Sequence, residues 1–111
     1  FLEKVNSAIL HHIADPALDV AMLANIMNVS RANLFRKIKA VCDLSPAEMI
    51  NIIRLKKAAE LIQQNNNKLY EIADLVGFNS RIVFTRNFSK QFGMSPTEFV
   101  KSLKKVNKIA Q

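Results

Sequence analysis

The sequence predicts an all-α fold of about seven helices, arranged as two helix-turn-helix units joined by a long linker helix. Three observations predict it. Apolar residues recur at helical spacing nearly throughout. Only two of the 111 residues are glycine, whereas strand-rich folds lean on turn glycines. The second half also echoes the first. Under a shift of 50, Ser30, Arg31, Leu34, Arg36, Ile38, Ser45, Pro46 and Glu48 fall on Ser80, Arg81, Phe84, Arg86, Phe88, Ser95, Pro96 and Glu98. Before the turn the shift is 49, and Leu23, Ala24, Ile26 and Met27 fall on Ile72, Ala73, Leu75 and Val76, which leaves Asn79 as an extra turn residue.

The elements follow in order. Leu2, Val5, Ile9 and Ile13 line one face of a first helix, which Asp15-Pro16 ends because the residue before proline avoids helical geometry. Asp19 is placed to cap a second helix through about Met27, with Val20, Leu23, Ile26 and Met27 inward. Ser30 caps a third helix to about Cys42. Ser45-Pro46-Ala47-Glu48 opens a long fourth helix with a capping box and a proline in the first turn. Ile52, Leu55, Ala59 and Ile62 fall nearer its core side, and Met49, Ile53, Lys57 and Glu60 on the other. The polar run Gln63 to Asn67 reads as a loop. A fifth helix covers about Lys68 to Val76 and a sixth runs from near Ser80 to about Phe92. Ser95-Pro96-Thr97-Glu98 repeats the capping box and opens a seventh helix, whose lysine-rich end from Lys101 to Lys108 is expected to fray. One domain over residues 1–111 is expected, with helix-turn-helix units at about 18–44 and 68–94 and the linker helix at about 46–64. A chain that starts at Phe1 rather than Met reads as a piece of something longer.

Each unit carries the grammar of a helix-turn-helix. Ala24 and Ala73 are small where the second helix crosses the first. Asn28 and Gly77 tolerate the positive φ that the turn needs, and Val29 or Phe78 plugs the corner. The whole set appears twice in register, where an ordinary helical hairpin requires only one of these signals.

Charge placement points to a partner. Sixteen Lys and Arg face nine Asp and Glu, for a formal net charge of +7. The third helix holds Arg31, Arg36, Lys37 and Lys39, with no acid from Ser30 to Val41. The sixth holds Arg81, Arg86 and Lys90, with no acid from Asn79 to Met94. Charge kept for solubility alone is mixed with acids on every exposed face. Here it collects on the two helices that the motif puts in a major groove, where phosphate attracts it and arginine forks onto guanine edges. Double-stranded DNA is therefore the expected partner.

Other chemistries find little support. Cys42 is the only cysteine, so an internal disulfide and a cysteine zinc site are excluded, and it reads as a small buried or half-buried helix residue. The adjacent His11 and His12 point to different sides of a helix and do not share a metal; Met22, Met27, Met49 and Met94 read as packing. There is no phosphate-cradling glycine loop and no nucleophile–base pairing, so no catalytic residue, metal or cofactor is expected. The main alternative is a basic protein–protein interaction module docking on an acidic partner; arginines early in both helices are explained by DNA readout and not by generic docking. A membrane-surface role for Lys101 to Lys108 meets an apolar face too thin for more than weak attachment. RNA binding lacks an evident platform of exposed aromatics. No apolar run approaches the roughly 20 residues of a membrane span.

The stretch Ile72-Ala73, Val76-Gly77-Phe78 and Phe84-Thr85-Arg86-Asn87-Phe88-Ser89-Lys90-Gln91-Phe92-Gly93-Met94-Ser95-Pro96 resembles the DNA-binding domain of AraC-type (AraC/XylS) transcription regulators. The first unit matches through Leu23-Ala24, Met27, Ser30-Arg31 and Leu34-Phe35-Arg36-Lys37, and Arg54-Leu55 with Ala58 and Leu61-Ile62 resembles the family's linker helix. The resemblance implies a homeodomain-like arrangement with the two recognition helices in successive major-groove segments on one DNA face. It implies base reading by Arg31, Ala32, Phe35 and Arg36 in the first unit and by Arg81, Ile82, Thr85 and Arg86 in the second. Ser30, Lys37, Lys39, Ser80 and Lys90 are the expected phosphate contacts. The usual threonine-glycine before the first serine-proline is Cys42-Asp43 here, and the family's closing tyrosine-arginine is Phe99-Val100. The first helix and the Ser-Arg-x-x-Leu-Phe-Arg-Lys run are similar to the output domains at the C-terminus of hybrid two-component sensors. That likeness implies a cytoplasmic protein, or the cytoplasmic end of a membrane-anchored sensor that includes a histidine kinase. RNA polymerase is an implied partner; this stretch is expected to be monomeric, and its parent able to dimerise.

Overall fold

The fold is taken from a computed structural model, which describes residues 1–64 and 68–110, the last four for their backbone only. Among these residues seven helices run in order: α1 (Leu2–His11), α2 (Val20–Met27), α3 (Arg31–Cys42), α4 (Pro46–Gln64), α5 (Leu69–Leu75), α6 (Arg81–Phe92) and α7 (Pro96–Ala110). There is no strand among the described residues.

Start signals act locally. The Asp19 carboxylate accepts the Met22 N–H at 2.8 Å. The Ser30 and Ser80 hydroxyls accept the N–H of Asn33 and Val83, at 3.1 and 3.3 Å. Both Ser-Pro-x-Glu boxes are closed in both directions: Ser45 N–H donates to Glu48 Oε1 at 3.1 Å and Ser95 N–H to Glu98 Oε1 at 3.0 Å, while each serine hydroxyl accepts the glutamate N–H.

Two hydrophobic cores form, one per unit. Val5, Ile9, Leu18, Leu23, Ala24, Leu34, Ile38 and Ile50 make the first. Leu55, Ala58, Ile62, Ile72, Ala73, Val76, Phe78, Phe84 and Phe88 make the second. Helix α4 serves both, with Met49, Ile50 and Ile53 in the first core and Leu55, Ala58, Ala59, Leu61 and Ile62 in the second. The single core side expected for it, with Ile52, Leu55, Ala59 and Ile62, is therefore replaced by two successive faces.

Other elements differ from expectation in instructive ways. Helix α1 stops at His11, so Ile13 lies beyond it and packs against the second core rather than beside Ile9. His12 leaves helical geometry, and its ring meets that of His11 edge-on at 4.9 Å instead of pointing away. Ile26 is 39% exposed, because it falls off the face set by Val20, Leu23, Ala24 and Met27; its counterpart Leu75 is 45% exposed. Gln63 and Gln64, expected in a loop, complete α4, while Asn65 to Asn67 lie outside the described residues. Helix α7 continues to Ala110 where fraying was expected, and Phe99, Val100 and Leu103 pack it onto the second core.

Candidate nucleic-acid interface

The two turns that launch α3 and α6 are built alike. Val29 N–H donates to Ala24 O at 3.0 Å, and Phe78 N–H to Ala73 O at 2.9 Å. Asn28 has φ 57° and Gly77 φ 90°, the left-handed geometry that such a return requires. Ala24 and Ala73 are buried, so the second helix crosses close over them. Past each helix the same conformation recurs, at Asp43 (φ 55°) and Gly93 (φ 74°). Aspartate replaces the glycine there by tolerating the left-handed region, and α3 ends cleanly at Cys42. The Cys42 thiol is half-buried and donates to Ile38 O at 3.3 Å.

On α3, Leu34 and Ile38 are fully buried, which turns Arg31, Ala32, Phe35 and Arg36 outward. On α6, Phe84 and Phe88 are buried and Arg81, Ile82, Thr85 and Arg86 are exposed. These four line one shallow concavity on the outer side of α6. Ile82 is 72% exposed and Phe35 49%, high values for large apolar side chains that a core would hold. Base-pair edges in a major groove include thymine methyls, which such side chains contact. Arg36 donates to the side-chain oxygen of Asn33, which steers its guanidinium along the helix.

The expected phosphate contacts sit at the margins. Ser30 and Ser80 cap the helices through their oxygen lone pairs, leaving each hydroxyl proton free to donate. Lys37 reaches over the Phe1 ring, 5.5 Å from its centroid, so it flanks the face rather than lying on it. Lys39 pairs with Asp43 at 3.6 Å on the surface, a weak and exchangeable contact. Lys90 is exposed near the end of α6.

Two residues that sequence reasoning did not assign to the site belong beside it. Tyr70, on α5, lies under the Arg81 guanidinium at 4.7 Å, a cation–π contact with one of the arginines expected to read bases. Its signal in the sequence is only an aromatic at a surface position of the first helix of the motif. Arg54, on α4, donates from Nη2 to the Asp15 carbonyl at 2.8 Å. Burial pulls its guanidinium down from the ordinary arginine value, and the Asp15 carboxylate opposes that. Phe1, Phe35 and Tyr70 are exposed aromatics, but they stand before α1, on α3 and on α5, and none stacks on another. Among the described residues no group of three or more His, Cys, Asp or Glu is placed to hold a metal, and no helix is long and apolar enough to cross a membrane.

Comparison with known proteins agrees with this geometry. A family model described as a helix-turn-helix domain matches residues 23–102. The chain is 36% identical over 98 residues to the histidine kinase P4 of Formosa agariphila, covering 88% of this chain and 7% of the kinase. It is 39% identical over 74 residues to the HTH-type transcriptional regulator MtrA of Neisseria gonorrhoeae, covering 67% of this chain and 25% of the regulator. The chain thus spans a minor part of these relatives. Among solved structures, the C-terminal domain of AraT, a response regulator from Geobacillus stearothermophilus, superposes with a TM-score of 0.83 at 30% identity, over 91% of this chain and 84% of that one. The DNA-binding domain of AdpA, a global transcriptional factor solved in complex with a target DNA, gives 0.82 at 25% identity, over 91% and 90%. The chain belongs to the AraC-type helix-turn-helix family of DNA-binding transcription regulator domains, which are not enzymes.

Proposed function

We propose that residues 1–111 form one domain that binds double-stranded DNA sequence-specifically, with α3 and α6 in successive major-groove segments. In this reading the helix-turn-helix units span about 18–44 and 68–94, around a linker helix at about 46–64. The observation that carries it is the pair of exposed, acid-free basic faces, presented by two helices in the same register. Arg31, Ala32, Phe35 and Arg36 read one half-site and Arg81, Ile82, Thr85 and Arg86 the other. Ser30, Lys37, Lys39, Ser80 and Lys90 hold phosphates. Similarity to a histidine kinase and to a response-regulator C-terminal domain supports an output role at the end of a cytoplasmic phosphorelay, acting on transcription through RNA polymerase. Selection of bound duplexes from a random pool tests the reading. A two-part motif with half-sites about one helical turn apart is expected. Binding to every duplex alike, or to an acidic protein surface in preference to DNA, overturns it.

A further inference from the structure

The two cores meet at one junction. Arg54 lies on α4 between Ile50 and Ile53, which serve the first core, and Leu55 and Ala58, which serve the second. Its Nη2 donates to the Asp15 carbonyl, in the loop that follows α1. The Asp15 carboxylate shapes that loop by accepting the Ala17 N–H at 2.9 Å. Gly77, the turn residue that launches α6, closes on the same place from the other side. A Cβ there would stand 2.2 Å from the Ile13 carbonyl oxygen and 2.9 Å from Arg54 Nε. That Nε is the one buried side-chain nitrogen or oxygen without a hydrogen-bond partner among the described residues. A half-buried guanidinium with its Nε enclosed, one hydrogen bond to a carbonyl and a glycine backbone against it has few alternative positions. Ile13, from the same loop, packs into the second core.

We propose that this junction of Arg54, the Ile13–Asp15 loop and Gly77 sets the angle between the two recognition helices, and with it the half-site spacing that the protein accepts. Arg54 and Gly77 are thus positioning residues that touch no DNA. The inference rests on the reading that α3 and α6 both enter the groove.

The test has one arm without DNA and one with it. Nitroxide labels at Ala40→Cys and Gln91→Cys, exposed positions on α3 and α6, are placed in a Cys42→Ser background, and their distance distribution is measured in the parent, in Arg54→Met and in Gly77→Ala. The parent is expected to show one narrow distribution, and both variants a broader or displaced one with unchanged helix content. Arg54→Lys, which keeps the charge and the stem but not the fork, serves if Arg54→Met does not fold. In the second arm, affinity is measured for the selected two-part site, for each half-site alone, and for sites with one base pair added or removed between the halves. The variants are expected to lose about tenfold on the selected site, the scale of one charged hydrogen bond. They should lose nothing on single half-sites, and they should discriminate less among spacings. Unchanged label distances overturn the junction, and changed distances with an unchanged spacing preference overturn its link to recognition. If the parent itself binds a half-site as tightly as the whole, the two-groove reading fails and takes the spacing claim with it, while the label arm still reports whether the junction holds the helices.

Discussion

Arg36 and Arg86 occupy equivalent places in the two units, each two residues past a buried apolar side chain that fixes the direction of its helix. An arginine so presented can fork onto a guanine edge, worth roughly 1–3 kcal/mol of discrimination against the wrong base. Lys90 stands further along α6, where a groove-bound helix has begun to leave the bases. Arg36→Ala and Arg86→Ala are therefore expected each to relax preference at one base position. Lys90→Ala is expected to weaken all sequences about equally and to flatten the salt dependence by about one unit. Each variant is measured on the preferred site, on its single-base variants and on unrelated DNA; equal losses everywhere for the two arginine variants reassign them to phosphate. Tyr70 adds a finer case, since it touches Arg81 from below. Tyr70→Leu keeps much of the apolar bulk but removes the ring, and is expected to cost about 0.5–1 kcal/mol of binding, the scale of an exposed cation–π contact. That loss should vanish when Arg81 is already alanine, and a double-mutant cycle showing additive losses separates the two residues.

At the scale of elements, the two Ser-Pro-x-Glu boxes set a pH dependence. The backbone N–H of Ser45, then its hydroxyl, hold the Glu48 carboxyl below its ordinary value, and Ser95 does the same for Glu98. A carboxyl whose folded value is depressed stabilises the fold above its unfolded value, about 4.3, and loses that contribution as pH falls through the folded value. Replacing both glutamates with glutamine is expected to flatten the melting temperature against pH below that point, with little change in shape above it. Parallel curves for variant and parent place the acid sensitivity elsewhere. These boxes were legible in the sequence because capping is local: a serine, a proline and a glutamate within four residues carry the whole geometry. The left-handed turn at Asn28 and the caps Asp19 and Ser30 were legible for the same reason, whereas the base-facing set on α3 and α6 came from the family resemblance. What sequence periodicity missed was long-range. Ile13 follows the repeat of α1 but is captured by the second core, 42 residues before Leu55, through a loop whose path no local signal states. Helix α4 defeats a single-face reading because it turns from one core to the other midway, and Arg54 sits where that change occurs. Its partners are a backbone carbonyl and a glycine, neither of which leaves a mark in side-chain pattern.

At the scale of the whole molecule, the extents of 50 × 25 × 21 Å describe an elongated body with the two units side by side. One helical turn of DNA, about 34 Å, is shorter than the long dimension, so in the proposed reading a single chain is expected to offer both grips without a partner. Sedimentation is expected to show a monomer, and the selected site is expected to lack strict palindromy; an obligate dimer contradicts this. The same body separates affinity from readout. Its net charge of +7 is concentrated on α3 and α6, with the further lysines Lys101, Lys104 and Lys105 exposed on α7. Each phosphate neutralised releases counterions, so the logarithm of affinity falls with the logarithm of salt by about 0.9 per contact. If the two helices and their flanks meet roughly six to eight phosphates, the slope is about −5 to −7. Non-specific DNA, gripped by the same lysines without base contacts, is expected to show a similar slope at lower affinity, because the arginine forks add discrimination more than charge. Titrations on the selected site and on a scrambled duplex across a salt series read both quantities together. A slope near zero with binding retained removes the electrostatic account of the two basic faces, and with it the reason that the charges cluster there.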